Sequence, residues 1–496
     1  MPNALAYLVL FGFPLFAVVL FRLLPLQRAL IWTILLGHLF LPSEMMFKIP
    51  MLPGIDRALV PAVTAWILCA LMAPKLQPAA DMASRSGRQV IFALLGLVLL
   101  TPFLTVLQNM APIIDGRTYL PGLRLYDAIS MISQIVINLI PLWLGIRYLN
   151  THDGHKALLE AFAITGLIYT FPALLEIRLS PQLHSWIYGY FPHDFVQHIR
   201  DGGFRPVVFL NHGLMVGIYF CISIIAAVVL YREARREQRN AWPWLLAAVW
   251  LVGVLFLSKS LGALALALGF GLVVLLLGRR PQIIVAVVVG FIVILYPMLR
   301  GAGLIPIDTV MSIVESINED RARSLQFRID NEEALLAHAN EKPLAGWGSW
   351  GRNSLYDPDT GAMTSVTDGI WVFFIGVFGW LGYIGRFGLL TIPILFFALR
   401  SRQLGPSLIT PGLMVVLAAT LVDLLPNAGL VNYIWLMAGA VAGLVLWREP
   451  EAGGTTAAAG GGGVGLPLAP RAGWLMVDAP VAAGRQKRSE SRGRIR

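Results

Sequence analysis

The sequence predicts an all-α polytopic integral membrane protein of about 12 or 13 transmembrane helices, each requiring about 20 apolar residues. Three observations support this. Hydrophobic residues occupy 57% of the 496 positions, and charged residues occupy only 13%, whereas soluble proteins carry about 25%. The mean hydropathy is +0.71. The apolar residues also fall in long separate runs, which lipid can solvate and a single soluble core cannot.

About thirteen runs are apolar enough to be spans, and those at 28–43 and 59–74 are short for a full crossing. The first run has neither a basic start nor a small-residue cleavage site followed by polar sequence, so we interpret it as a retained span and not as a removed signal peptide. The predicted spans are 4–21, 28–43, 59–74, 89–108, 127–146, 157–175, 207–230, 241–257, 260–278, 282–298, 383–399, 409–425 and 430–447.

The basic residues of the short loops predict the orientation, because such residues are retained in the cytoplasm. The most basic short loop contains Arg232, Arg235, Arg236 and Arg239. Placing it in the cytoplasm puts the C-terminus inside and, with thirteen spans, the N-terminus outside. Two long segments, about 176–206 and about 299–367, then lie outside.

This division predicts four regions. Residues 1–298 hold transmembrane helices 1–10, and 299–367 form a large periplasmic loop with a helical apolar pattern around 325–338. Residues 368–447 hold a re-entrant or interface helix and the last transmembrane helices. The tail, 448–496, contains GGTTAAAGGGGVG and ends in QKRSESRGRIR, a composition typical of a disordered basic segment.

Several function classes are excluded by the residues present. Cys69 and Cys221 lie in predicted spans and are too few for a disulfide framework or a zinc site. The chain contains no Walker, dinucleotide-binding, HExxH or GxSxG motif. The net charge of +10 is divided between the tail and the cytoplasmic loops, so it does not indicate nucleic-acid binding. The glycines of GALALALGFG and GWLGYIG indicate close helix packing.

The informative feature is basic charge on the predicted outer side. Arginine is well suited to bind a diphosphate, because its planar fork gives paired, charge-assisted hydrogen bonds. The simpler interpretation is a solvated loop surface. The basic residues of the two outer segments are Arg178, Arg200, Arg205, Arg321, Arg323, Arg328, Lys342 and Arg352.

Four stretches between about 200 and 400 resemble, in order, the O-antigen ligase and polymerase family of bacterial envelope glycan assembly. RDGGFRPVVFLNHG resembles the family's Arg–Gly–Phe element before a span. LFLSKSLGALALALG resembles its Ser-Arg-Gly turn, with Lys259 where arginine is usual. SLQFRIDNEEALLAHANEKPLAGWGSWG is similar to its arginine-bearing helix followed by Pro-Leu-x-Gly-x-Gly. TDGIWVFFIGVFGWLG resembles its return into the membrane.

The last stretch distinguishes the branches of the family. Ligases carry a histidine and a small polar residue, then nine residues, then Gly-x-x-Gly. Here Asp368-Gly369 precedes Gly379 and Gly382 at the same spacing. The histidine is replaced by aspartate, which favours a polymerase. Asp368 is then the candidate base for an attacking sugar hydroxyl, or else simply the N-cap of an apolar helix.

The resemblance implies a polymerase that transfers glycan from polyprenyl diphosphate to the next lipid-linked repeat at the periplasmic face of the inner membrane. Arg205 and Arg328 would hold the diphosphate, supported by Arg200, without a metal or other cofactor. Lys259 is either a second phosphate contact or a snorkelling side chain, and His212 is either a supporting site residue or only a cap.

Two other functions stay open at this point. One is a ligase that transfers finished glycan to another acceptor. The other is a transporter or flippase for a lipid-linked sugar, although the sequence shows no internal repeat of the kind that transporters often carry. The implied partners are the lipid-linked oligosaccharide, the bilayer and other polysaccharide assembly proteins.

Overall fold

The computed structural model describes residues 1–48, 53–72, 85–200, 202–304, 307–317, 319–400 and 406–446. Within these ranges the chain is almost entirely helical, and its strands form only two short hairpins. The predicted all-α class is confirmed. The predicted tail at 448–496 lies outside the described residues.

Sixteen α-helices make up the described part. The first seven are α1 (Ala4–Leu23), α2 (Leu26–Phe40), α3 (Leu59–Met72), α4 (Arg85–Gln108), α5 (Leu125–Tyr148), α6 (His152–Leu179) and α7 (Leu183–Tyr188). The next four are α8 (Gly213–Arg236), α9 (Trp242–Leu257), α10 (Leu261–Leu276) and α11 (Arg279–Gly301). The last five are α12 (Ile307–Ile317), α13 (Glu319–Asn340), α14 (Ile370–Arg400), α15 (Ile409–Asp423) and α16 (Asn432–Leu446).

Seven of these helices are long and apolar enough to cross a membrane, namely α1, α4, α5, α6, α8, α11 and α14. Six shorter apolar helices, α2, α3, α9, α10, α15 and α16, accompany them. The seven and the six together match the thirteen predicted spans one for one. The chain is therefore a multi-pass membrane protein.

Two span starts differ most from the prediction. The seventh span, α8, begins at Gly213 and not at 207, because His212 caps it by accepting the Leu214 N–H at Nδ1 (3.0 Å). The eleventh span, α14, begins at Ile370 and not at 383, since the segment predicted as a separate interface helix continues directly into the span. A left-handed residue, Gly379 (φ +68°), interrupts this long helix.

The interruption at Gly379 is where the long loop joins the bundle. Trp347 donates its backbone N–H to the carbonyl of Gly376 (2.7 Å), and Trp380 donates to that of Pro343 (2.7 Å). The loop thus satisfies backbone groups that the broken helix leaves without helical partners. The Pro-Leu-x-Gly-x-Gly and Gly-x-x-Gly stretches of the sequence are therefore in direct contact.

The core is centred on α8, of whose apolar window 89% is buried. It packs against α6, α9, α10 and α15. Helices α5 and α16 approach at glycines, since a Cβ on Gly145 would lie 2.5 Å from the carbonyl oxygen of Leu436. The close packing predicted from GALALALGFG is wrong, because a Cβ on Gly262 or Gly269 would meet no atom within 4 Å.

We call the end of the bundle that carries residues 180–212, 307–369 and 424–431 the loop face. The loop helices α12 and α13 lie there, as do the hairpins β1–β2 (Ile113–Asp115, Thr118–Leu120) and β3–β4 (Ile199–Arg200, Gly203–Phe204). Asn3 donates its backbone N–H to the carbonyl of Tyr188 (2.9 Å), which places the N-terminus at the same end. At the opposite end, Glu233 accepts hydrogen bonds from Arg236 and from the backbone of Leu408.

Candidate functional site

A cavity of about 560 Å³ opens at the loop face. Its walls come from Arg57, from 193–215 before and within the start of α8, from 327–328 on α13, from 366–368 before α14, and from 427–431 between α15 and α16. The predicted residues Arg200, His212, Arg328 and Asp368 are brought together here although they are up to 168 positions apart (368 minus 200).

Arg328 and Asp368 form an ion pair within this cavity, with Nε 3.7 Å from Oδ2. Arg328 also donates from Nη1 to the carbonyl of Pro426 (3.3 Å), so α13 is tied to the segment that leaves α15. Asn331, one turn further along α13, accepts the Val366 N–H (3.0 Å). In the described part of the chain no backbone N–H donates to the Asp368 carboxylate, so the helix-cap interpretation finds no hydrogen bond to support it.

Arg200 lines the cavity from the β3–β4 hairpin, whose turn contains the left-handed Gly202 (φ +71°). Lys259 donates from Nζ to the Arg200 carbonyl (2.7 Å), and Arg205 donates from Nη2 to the Lys259 carbonyl (3.2 Å). Neither Lys259 nor Arg205 is among the described residues lining the cavity. Arg205 is only 8% exposed. Arg205 and Lys259, both predicted to contact phosphate, therefore support the β3–β4 hairpin on the side away from the cavity.

A cation that the predicted site omits, Arg57, also lines the cavity. Its Nη1 is buried and has no hydrogen-bond partner in the described part of the chain. Burial lowers the pKa of this guanidinium, while the nearby Glu44 carboxylate opposes the shift. A buried nitrogen of a charged group that has no acceptor is costly unless an anion binds it. No motif around Arg57 signals this role, because only the fold brings residues 53–58 to the loop face.

Glu332, one helical turn after Arg328, is a second omission. Its side chain is buried, and burial raises its pKa to about 7. Arg300 opposes this rise and Asp368 adds to it. A carboxyl group that titrates near neutral pH beside the ion pair is typical of a functional site, although ion-pair networks also produce such shifts. The sequence could have indicated Glu332, because it lies four residues after Arg328 and therefore on the same side of a predicted helix.

His212 lies beside two histidines that the predicted site also omits, His193 and His198. The ligand nitrogens of the three rings all lie within 4.8 Å of one another. Burial, together with the smaller effects of the other histidines and Arg205, lowers the pKa of His198 to about 4 and that of His212 to about 3. Both rings are neutral at pH 7. The spacing of His193 and His198, five residues apart before a predicted span, was a usable signal.

The remaining basic residues of the loop face are structural or lie away from the cavity. Arg352 is 2% exposed and donates to the carbonyl of Pro121 (2.7 Å), and Lys342 donates to Asn109 Oδ1 (2.7 Å) and lies over the Trp347 ring. Both tie the end of α4 to the long loop. Arg178 and Arg323 are exposed and do not line the cavity, and the side chain of Arg321 is not described.

Comparison with known proteins assigns no family. The chain matches no protein-family model and no curated protein.

Proposed function

We propose that the protein is a polymerase of bacterial surface polysaccharide, an exopolysaccharide or an O-antigen, which transfers glycan from polyprenyl diphosphate to the next lipid-linked repeat. The observation that carries the proposal is the convergence of Arg57, Arg200, Arg328 and Asp368 on one cavity at the loop face. Three guanidinium groups at the loop face of a transmembrane bundle suit a lipid-anchored diphosphate, because the lipid stays in the bilayer while the charge reaches the cavity.

The proposed reaction is a glycosyl transfer at the anomeric carbon of the donor. A hydroxyl oxygen of the acceptor repeat bonds to this carbon, and the bond from the carbon to the diphosphate oxygen breaks. The diphosphate leaves with the electron pair, and Arg328 and Arg200 stabilise the developing charge. Asp368 takes the proton of the hydroxyl or orients it.

The residues behind the cavity position those that line it. Arg205 and Lys259 hold the hairpin that presents Arg200, through the two hydrogen bonds to backbone carbonyls. Arg328 is held at the Pro426 carbonyl and by its pairing with Asp368. In this proposal Arg205 and Lys259 are positioning residues and not direct ligands of the diphosphate.

The proposal places the loop face in the periplasm and the C-terminus in the cytoplasm of the bacterial inner membrane. Its support is the basic cluster at the opposite end of the bundle, where α8 ends in Arg235 and Arg236 and α11 begins with Arg279 and Arg280. Such residues favour the cytoplasmic side. Lipid-linked repeats that have already crossed the membrane would then meet the cavity.

Glycan analysis of a deletion strain tests the proposed reaction against its alternatives. If the protein is a polymerase, the deletion strain should carry only single repeats on the final acceptor. Accumulated long lipid-linked chains would instead indicate a ligase, and unflipped single repeats on the cytoplasmic side would indicate a flippase. Complementation with the wild-type gene should restore long polymer.

A further inference from the structure

Three histidines of the loop face form a compact cluster. His193 precedes the 3-10 turn Phe195–His198, His198 ends it, and His212 caps α8. The ring centroids are 4.9 Å apart for His193 and His212 and 4.7 Å for His198 and His212. One potential ligand nitrogen from each ring lies within 4.8 Å of the other two. The three side chains therefore surround one point.

His198 shows that this arrangement is more than ring packing. It is 0% exposed, and in the described part of the chain neither Nδ1 nor Nε2 has a hydrogen-bond partner. A neutral imidazole carries one N–H donor and one acceptor, so His198 leaves both unmatched by described protein groups at a fully buried position. Buried polar groups almost always have a partner, and a missing one requires an explanation such as an ion.

We propose that His193, His198 and His212 bind one divalent transition-metal ion, with Zn²⁺ as the best fit. Imidazole nitrogen is a preferred ligand of zinc, and three histidines with one open position form a known kind of zinc site. Nitrogens 2.0–2.1 Å from a tetrahedral zinc are about 3.3 Å apart, so nitrogens that now lie within 4.8 Å of one another need to converge by up to about 1.5 Å. His193 is exposed on a loop and can supply this movement.

The charges around the cluster favour an anionic fourth ligand. On His212 the metal replaces one hydrogen bond, the Leu214 N–H donated to Nδ1. Arg205 and Arg328 lie near enough to disfavour a bare cation. An anion that binds the metal offsets this repulsion.

The histidine cluster borders the cavity of the proposed site. His193 and His212 line the same cavity as Arg200 and Arg328. A phosphate or diphosphate held by these arginines would therefore share the cavity with a metal bound at the rings. The metal site is independent of the proposed glycosyl transfer, because it rests only on the three imidazoles and on the unmatched nitrogens of His198.

Metal titration of the purified protein tests the site. The full chain, without a polyhistidine tag, is stripped with a chelator, transferred to lipid nanodiscs and titrated with Zn²⁺ alone and with Co²⁺ alone. Bound metal is counted by mass spectrometry, and the visible absorption of Co²⁺ reports nitrogen ligation. We expect one ion per chain, and tighter binding when inorganic diphosphate is added.

Three variants complete the test. His193→Ala changes an exposed ring and should weaken Zn²⁺ binding at least about 100-fold, more than the loss of an outer-shell partner. His198→Ala should do the same. His152→Ala is the matched control, since His152 contacts Ser407 at the opposite end of the bundle, and it should bind as the wild type does. The proposal is overturned if the wild type binds Zn²⁺ no more tightly than His193→Ala does. It is also overturned if the two proteins show equal cobalt absorption.

Discussion

Arg328 on α13 and Asp368 before α14 pair at 3.7 Å, and this contact joins the loop to a transmembrane helix. Both side chains stay partly exposed, at 33% and 25%. An ion pair so open to solvent contributes at most about 1 kcal/mol to stability. We therefore expect substitutions at either residue to change activity far more than folding.

Replacement of Arg328 by alanine should abolish polymer while the protein level stays normal. The variant removes the guanidinium that is proposed to hold the leaving diphosphate, a loss of roughly 100-fold or more in rate for one such donor. Arg328→Lys should retain part of the activity, because it keeps the charge and loses the fork. Polymer length on gels and immunoblots of membranes provide the measurements.

The control for this variant is Arg323→Ala. Arg323 is exposed on the same helix and does not line the cavity. It should leave polymer unchanged. Wild-type polymer in the Arg328→Ala strain would remove the diphosphate role from this arginine.

Asp368→Asn separates a catalytic carboxylate from a helix cap. Asparagine caps helices about as well as aspartate but cannot accept a proton at neutral pH. Because no backbone N–H of the described residues donates to the Asp368 carboxylate, we expect the variant to fold normally and to lose polymer. The melting temperature in detergent and the polymer yield are measured together. Normal polymer would leave Asp368 as a structural residue only.

Glu332 should make the stability of the protein depend on pH. Its folded pKa, about 7, is higher than the ordinary value of 4.5 for glutamate, so the folded state binds this proton more tightly. Stability is then highest below about pH 4.5 and falls as the pH rises to 7, by on the order of 3 kcal/mol in total. Glu332→Gln keeps the group neutral and should cancel this loss.

Melting temperatures at pH 5 and pH 8 measure this effect. The Gln variant should melt above the wild type at pH 8, and the gap should shrink at pH 5. Glu333→Gln is the matched control, since Glu333 is the exposed neighbour on the same helix. A gap that is the same at both pH values would contradict the raised pKa.

Gly379→Ala should detach the long loop from α14. The residue has φ +68°, and a Cβ there would lie 2.5 Å from the backbone nitrogen of Ala345. The strain alone costs about 1–3 kcal/mol. We expect a lower melting temperature and faster proteolysis within 340–352. Gly269→Ala, with open space around it, is the control and should melt as the wild type does.

The spans were predictable because each depends on its own sequence. A run of about 20 apolar residues is costly anywhere but in lipid, whatever the neighbouring helices do. The start of α14 was missed because Gly379 and Gly382 resemble a boundary in sequence. The structure shows that the loop supplies the partners that allow this helix to continue through Gly379.

The site was only partly predictable, because it depends on contacts between distant segments. Arg200 and Asp368 stand out as charges close to predicted membrane segments, and Arg328 stands out within the helical pattern predicted at 325–338. The direction of Arg205 depends on a carbonyl 54 positions away, and that of Lys259 on one 59 positions away. Arg57 carries no local motif.

The distribution of the cavity walls along the chain has a consequence for biogenesis. The first wall residue is Arg57 and the last is Val431, so the cavity draws on almost every stage of synthesis. A nascent chain that has inserted α1–α14 still lacks the 427–431 wall between α15 and α16. The ribosome must therefore translate past Val431, the residue before α16, before the cavity can close, and a chain released earlier lacks this wall.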